Sequence, residues 1–441
     1  MFGVAAPTAV IAQDTPNIIL IFMDDMGRSD IQPYGGTIPT PHINNLAQQG
    51  MKLTDFCVAS PVSTPSRAAL LTGCYPGRVN LPKVLFPKDT VGLNENEMTI
   101  AELLKQKNYH TACVGKWHLG WQQKALPLNH GFDEFFGLAY SNDMNPLRLY
   151  ENNIPVSDVT DQSLLTTLYT EKCVDIINRN KENPFFIYLA HTMPHIPLAV
   201  SDKFKGKSPE GMYGDVVMEI DWSIGEIIKT LKKNKLFDNT LIIFTSDNGP
   251  WLVYGNYAGQ SPPFREGKFT HFEGGYRSFC LVSWPEKIKK NSKCDVFCTS
   301  IDILPTIAEI TGLPLSGNKI DGLSFYSALK TPGKAAPTHD CFFYTVGSEV
   351  RGVRSGDWKL MLPHQYSGVS VPGKDGKIGT SEKKDIGLSL FNLKNDPAES
   401  INLAEQHPEI VQKLQKEAEL FQRELEQNSR HCGVYIGLTL E

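Results

Sequence analysis

No apolar run in this 441-residue chain approaches the ~20 residues that a bilayer-spanning helix needs. There is no long basic run either, and the net charge is −5, which argues against a nucleic-acid or anionic-membrane partner. The sequence has no N-x-S/T acceptor. A secreted eukaryotic chain of this length would be expected to carry one, so its absence points to a bacterial source. Internal repeats and low-complexity segments are missing as well. Cysteine is present, but in no informative pattern. Nine is an odd number, so at least one thiol is unpaired without a partner chain. The closest pair, Cys294 and Cys298, has no established metal or redox spacing.

The composition is that of an ordinary globular protein, 41% hydrophobic and 21% charged, and the length suits two or three domains. The first residues, "MFGVAAPTAVIAQDTPN", are small and apolar up to Ala12, with Val10 and Ala12 placed like a signal-peptidase site. They lack the positively charged start of a full signal peptide. Residues 1–13 are therefore read as a signal-peptide remnant or a disordered segment, and the protein as periplasmic or secreted.

Further on, apolar runs alternate with helical patterns, the signature of an α/β fold. "NIILIFM" is a run of the kind buried on both faces of a sheet, and it ends in Asp24-Asp25. "TLIIFTS" has the same character and ends in Asp247-Asn248. "HTACV" runs into Lys116 and His118, and "PFFIYLA" into His191 and His195. An Asp after a strand is more often a turn or cap residue than a ligand, but four coincidences at one topological position are harder to dismiss. Open α/β sheets bind ligands beyond the carboxyl ends of their strands. Three carboxylates and an amide oxygen make a hard ligand set suited to Ca²⁺ or Mg²⁺. With such a metal, Arg67, Lys116 and Lys268 would form a cationic pocket for a tetrahedral oxyanion, and His118 and His195 could move protons. In "SPVSTPSRAALLTG", residues 60–73, Pro65 is expected to open a helix capped by Thr64. That would leave Ser63 just outside an N-terminus that favours anions. These residues together predict metal-assisted hydrolysis of a sulfate or phosphate ester.

"STPSRAALLTG" and "TACVGKWHLG" resemble the two signatures of the type I sulfatases, the arylsulfatase branch of the alkaline-phosphatase-like superfamily. "MDDMG", "TPHINNLAQQG", "HGFDEFFG", "FFIYLAHTMPHIPL", "FTSDNG", "REGKFTHFEGGYR" and "VRSGDWKL" extend the resemblance over nearly the whole chain in the expected order. The resemblance implies that Ser63 is converted by a maturing enzyme to formylglycine, an aldehyde whose hydrate is the nucleophile, as in Ser-type bacterial members. It implies calcium ligation by Asp24, Asp25, Asp247 and Asn248, with modified Ser63 completing the shell. Arg67 would fix the hydrate, Lys116 and Lys268 would bind sulfate, and His195 would protonate the leaving alcohol. His118 would collapse the sulfated hydrate, and Ser141 would touch sulfate. Asn142 stands where the family more often has His, His191 is read as structural, and Asn108 replaces a usual glycine in a left-handed position.

The implied architecture is a central mixed sheet flanked by helices over residues 14–332. A C-terminal antiparallel sheet with one amphipathic helix follows over 333–441, after the Pro/Gly/Ala-rich stretch 331–340. Asp143, Arg148 and His271 are candidates for contacting the group behind the sulfate, and Trp251 and Tyr254 for stacking on a sugar. The expected substrate is a sulfated carbohydrate: a glycosaminoglycan, a mucin or an algal glycan. The alternatives are a phosphodiesterase or phosphonate monoester hydrolase on the same fold, and a catalytically inactive carbohydrate-binding module.

Overall fold

The computed structural model describes residues 15–315 and 317–435, so the expected signal-peptide remnant over 1–13 lies outside the described residues. The large sheet is built from β1 (Asn17–Met23), β2 (Met51–Cys57), β3 (His110–Lys116), β4 (Glu134–Leu138), β5 (Arg148–Glu151), β6 (Ile154–Asp158), β7 (Phe185–Ala190), β8 (Thr240–Ser246), β9 (Arg277–Ser283) and β10 (Ser292–Cys294). Its spatial order is β10-β2-β9-β8-β1-β7-β3-β4-β5-β6, with Cys298–Thr299 as an eleventh short arm on β2. The five strands β8-β1-β7-β3-β4 are mutually parallel, and the pairs on either side of them (β9 on β8, β5 on β4) are antiparallel. The four apolar runs that end in candidate residues are therefore contiguous neighbours, and their carboxyl ends share one edge.

Burial on both faces explains why these strands lack alternation. Ile18, Leu20 and Phe22 of β1 pack with α2 (Ser63–Thr72) and α5 (Ile303–Thr311), while Ile19, Ile21 and Met23 pack on the other face. That second face is covered by α1 (Pro41–Gln48), α3 (Leu165–Arg179) and α4 (Gly211–Lys233). The arrangement is the central mixed sheet flanked by helices that the sequence implies.

The C-terminal part comprises β11 (Phe342–Val346), β12 (Glu349–Ser355), β13 (Trp358–Met361), β14 (His364–Val371), β15 (Thr380–Ile386), β16 (Ser389–Asn392) and α6 (Pro408–Asn428). An antiparallel sheet runs β11-β12-β13-β16, and β14 and β15 form a separate hairpin. "VRGVRSGDWKLML", one run in the sequence, becomes two strands because Gly356 turns the chain at φ +56°. Val411, Leu414 and Ala418 of α6 join Phe342, Tyr344 and Val353 in a core that also takes in Cys57, Ala69 and Tyr276 of the large unit. Leu425 is buried too, and Ile410 is half-buried. All nine cysteines are free thiols.

Candidate active site

Helix α2 begins at Ser63, not at Pro65, and the capping position is Val62 in an extended conformation. The first-turn N–H groups have no intrahelical acceptors, so proline is tolerated anywhere in that turn. Thr64, expected as the cap, serves a different purpose. Its hydroxyl donates to the His118 carbonyl at 2.9 Å and accepts from Leu85 N–H at 3.2 Å, tying the helix start to the segment after β3. Ser63 is thus the first helical residue, and its Oγ donates to Asp24 Oδ1 at 3.0 Å.

Around this hydroxyl the four strand ends deliver a buried ionic cluster. Lys116 Nζ pairs with Asp24 Oδ2 and donates to Ser141 Oγ at 3.0 Å. Arg67 binds Asp247 Oδ2 at 2.9 Å, approaches Asp24 at 3.6 Å, and donates to the Lys116 carbonyl at 3.1 Å. Lys268 Nζ pairs with Asp25 Oδ2 at 2.8 Å and lies 4.3 Å from the Trp251 ring centre. Burial alone would raise the Asp24 carboxyl, but Lys116, His195, Arg67 and Lys268 together hold it well below the usual range. Asp247 goes the other way: burial and then the Asp24 charge push it up to about 7.

The hydrogen bonds fix the imidazole tautomers. A carbonyl oxygen only accepts, so His195 Nδ1, 2.7 Å from the Ile196 carbonyl, carries a proton and leaves Nε2 facing Asp25 Oδ2 at 3.6 Å. His118 has the opposite tautomer. Its Nε2 donates to the Leu85 carbonyl at 2.9 Å, and Nδ1, buried, has no partner. Burial, reinforced by Lys116, drives His118 well below its ordinary value. It is therefore a neutral imidazole with one free lone pair.

Asn248 shows the same incompleteness. Its Nδ2 donates to Asp25 Oδ1 at 2.7 Å, while its buried Oδ1 has no partner. Ligand atoms of Asp24, Asp25 and His195 lie within 4.8 Å of one another. Asp247 stands one step behind, its oxygens held by Arg67 and by Asp25 N–H at 3.1 Å. An orphaned amide oxygen beside two carboxylates fits a hard divalent cation.

The cluster floors a cavity of about 470 Å³ lined by Ser63, Lys116, His118, Ser141, His195 and Lys268, with Asp143, Trp251 and His271 among its wall residues. Tyr254 stands behind Trp251 at 4.9 Å. Arg148 does not reach this cavity. It opens β5, which lies between β4 and the edge strand β6, and there it faces Asp158 at 3.7 Å and lines a separate cavity of about 190 Å³. Asn142 is held by Gln162 at 2.9 Å, and His191 sits 3.4 Å from Ser223 beneath the floor. Asn108 adopts φ +58°, as expected. Sequence reasoning missed the cavity's outer wall, where Lys83, Phe86, Phe269 and Arg351 stand. Only the position of Phe269 beside Lys268 offered a signal.

The sulfatase family model matches residues 16–313, and the model for the C-terminal region of aryl-sulfatase matches 337–435. Human arylsulfatase A is 35% identical over 450 residues, covering 93% of this chain and 88% of that protein. N-acetylgalactosamine-6-sulfatase of Canis lupus familiaris is 34% identical, covering 92% and 85%. A solved structure from work on the metabolism of multiple glycosaminoglycans by Bacteroides thetaiotaomicron superposes with a TM-score of 0.82 at 29% identity, covering 93% of this chain and 100% of that one. Matches of this extent, over a strand-end site of this composition, establish that the chain belongs to the sulfatase family and is a sulfuric ester hydrolase.

Proposed function

We propose that the protein removes O-sulfate from a carbohydrate, using a formylglycine made from Ser63 and a Ca²⁺ ion. The observation that carries the site assignment is the convergence of Ser63, Lys116, His118, His195 and Lys268 on one cavity above three carboxylates. The carbohydrate part draws on relatives named for sulfated sugars and on Trp251 in the cavity wall. Asp24, Asp25, Asp247 and Asn248 Oδ1 would hold the cation, which supplies charge neutralisation for the non-bridging sulfate oxygens. Formylglycine supplies, as its hydrate, one hydroxyl to attack sulfur and a second through which sulfate is expelled.

The chain's own residues supply the rest. Lys116 and Lys268, already oriented by Asp24 and Asp25, present ammonium groups to the anion. Arg67 holds the Asp247 carboxylate and the Lys116 backbone carbonyl from beneath. His195, in its doubly protonated form with Nδ1–H held on the Ile196 carbonyl, would deliver the Nε2 proton to the departing alcohol. His118 Nδ1, neutral and unpartnered, accepts the proton of the second hydroxyl. Ser141 orients Lys116 and reaches His195 Nδ1 at 3.5 Å. Asp143 and His271 face the group behind the sulfate. Secretion or export to a bacterial periplasm, with maturation by a separate enzyme, completes the reading.

Two measurements test it. The peptide containing Ser63, from a host with a sulfatase-maturing system, should be lighter than the serine form by two hydrogens. The matured protein should then release sulfate from sulfated sugars in a chelator-sensitive, Ca²⁺-restored manner. Unmodified serine in fully active protein, or faster release of phosphate from matched phosphate esters, would overturn it.

A further inference from the structure

Behind the sulfate cavity lies a second one of about 460 Å³. Trp251, Lys268 and Phe269 line both cavities, so the two share this group as a wall. Phe269 forms the crest between them. Its ring is 45% exposed, and its backbone sits at φ +72°, a conformation that a bulky side chain rarely adopts. Glu266, three residues earlier, is also left-handed at φ +57°. Strain of this kind persists only where the surroundings enforce it, and it concentrates at ligand sites. Here Phe269 N–H is pinned to the Pro61 carbonyl at 3.1 Å, and Lys268 N–H to the Pro250 carbonyl at 3.0 Å. The Thr270 hydroxyl donates to the Gly267 carbonyl at 2.7 Å. The far wall of the second cavity comes from the C-terminal hairpin, through Ser367 and Val369 of β14 and Ser381 of β15.

We infer that this second cavity is a subsite for an uncharged sugar residue next to the sulfated one, with Phe269 as a stacking platform between the two rings. The inference rests on the carbohydrate-sulfate reading and adds to it that the substrate is at least a disaccharide. The chemistry of the second cavity differs from that of the first. Its polar groups include the Ser367 and Ser381 hydroxyls and the half-buried Glu266, whose carboxyl burial pushes up. Among its described lining residues the one lysine is Lys268, whose ammonium is engaged with Asp25. Hydroxyls and an aromatic face suit a neutral pyranose, whereas a second sulfate or a carboxylate would meet no free cation among the described lining residues.

The test uses full-length Ser63→Ala protein with Ca²⁺, which binds without turnover, on an array of sulfated monosaccharides and of the same sugars extended by one or two uncharged hexoses. Extension should tighten binding of the sulfated sugar by about tenfold. Phe269→Ala should bring that ratio below about threefold, and so should Ser381→Trp, an exposed change that fills the cavity without touching the crest. Equal binding of short and extended ligands by the parent protein, or an undiminished ratio in both variants, would overturn the subsite and leave the sulfatase reading intact. Binding to none of the sugars, while matured wild-type enzyme hydrolyses 4-nitrophenyl sulfate, would instead overturn the carbohydrate reading together with the subsite.

Discussion

Two buried ionic clusters of this molecule are each built from three carboxylates and three basic side chains. One joins Asp24, Asp25 and Asp247 with Arg67, Lys116 and Lys268 at the strand ends. The other joins Asp55, Glu273 and Glu399 with Arg277, Arg354 and Lys359 where the C-terminal sheet meets the large unit. In the second cluster the Glu273 carboxylate is gripped from all sides: Tyr344 at 2.6 Å and Lys359 at 3.0 Å on one oxygen, Arg277 on the other. Burial would raise the Glu273 carboxyl, but Lys359, Arg277 and Arg354 hold it far below the usual range. The first cluster leaves His118 Nδ1 and Asn248 Oδ1 open, and His118 lines a cavity, whereas the open atom of the second, Glu399 Oε1, lies 2.8 Å from the Lys359 ammonium. Buried charge is common to both; what distinguishes the candidate active site is hydrogen-bonding capacity left free next to empty space.

That contrast can be broken by mutation. The largest effect should come from Ser63→Ala, which lowers kcat for sulfate release by at least about 10⁴-fold while leaving the urea midpoint within experimental error of wild type. Next, His195→Ala should lower kcat by about 10²–10⁴-fold on an alkyl sulfate and much less on 4-nitrophenyl sulfate, whose leaving group needs little protonation. A uniform loss on both substrates would remove the proton-donor role. Lys359→Met acts in the opposite sense. It strands two carboxylates in the interior and should cost about 3–5 kcal/mol of stability in urea unfolding, with kcat per folded molecule preserved. If instead this variant were stable and inactive, the distinction between the clusters would collapse.

The smallest effect calibrates an ordinary surface group against both clusters. Glu134 is held down to about 2 by His110 at 2.5 Å and then by Arg179 at 2.9 Å. Because its folded value lies below the unfolded one, its stabilisation is full above the usual carboxylate range and is lost as pH falls toward 2. Half-exposed pairs are screened, so Glu134→Gln should cost no more than about 1 kcal/mol at pH 6. The difference from wild type should shrink steadily in urea titrations as pH falls from 4.5 to about 2. A gap that widened on acidification would contradict the assignment.

The parallel strands and their deliveries were legible because burial on both faces leaves uninterrupted apolar runs, as in Asn17–Met23, each ending in a polar pair. Motif letters alone did not separate the two clusters. Glu273 and Arg277 stand in the same short segment as Lys268, and Arg354 and Lys359 in "VRSGDWKL", yet they tie two units together and line neither the sulfate cavity nor the one behind it. Spacing says that such residues are needed, and only the fold says for what. Arg148 was misplaced for a related reason: it follows Ser141 closely in sequence and starts β5 level with the end of β4, but β5 lies outside the parallel strands and its side chain turns to Asp158 and a separate cavity. The tilt of α2 onto the His118 carbonyl through Thr64, and the left-handed Phe269, depend on contacts between distant segments. No local pattern encodes them.

Ser63 is 2% exposed and sits in the first turn of a helix whose every residue is buried. A second protein cannot draw that side chain into its own active centre while the helix stays docked. Any enzymatic conversion at this atom is therefore a matter of timing: it belongs to the interval between synthesis and folding, and a chain that folds first keeps its serine for as long as it stays folded.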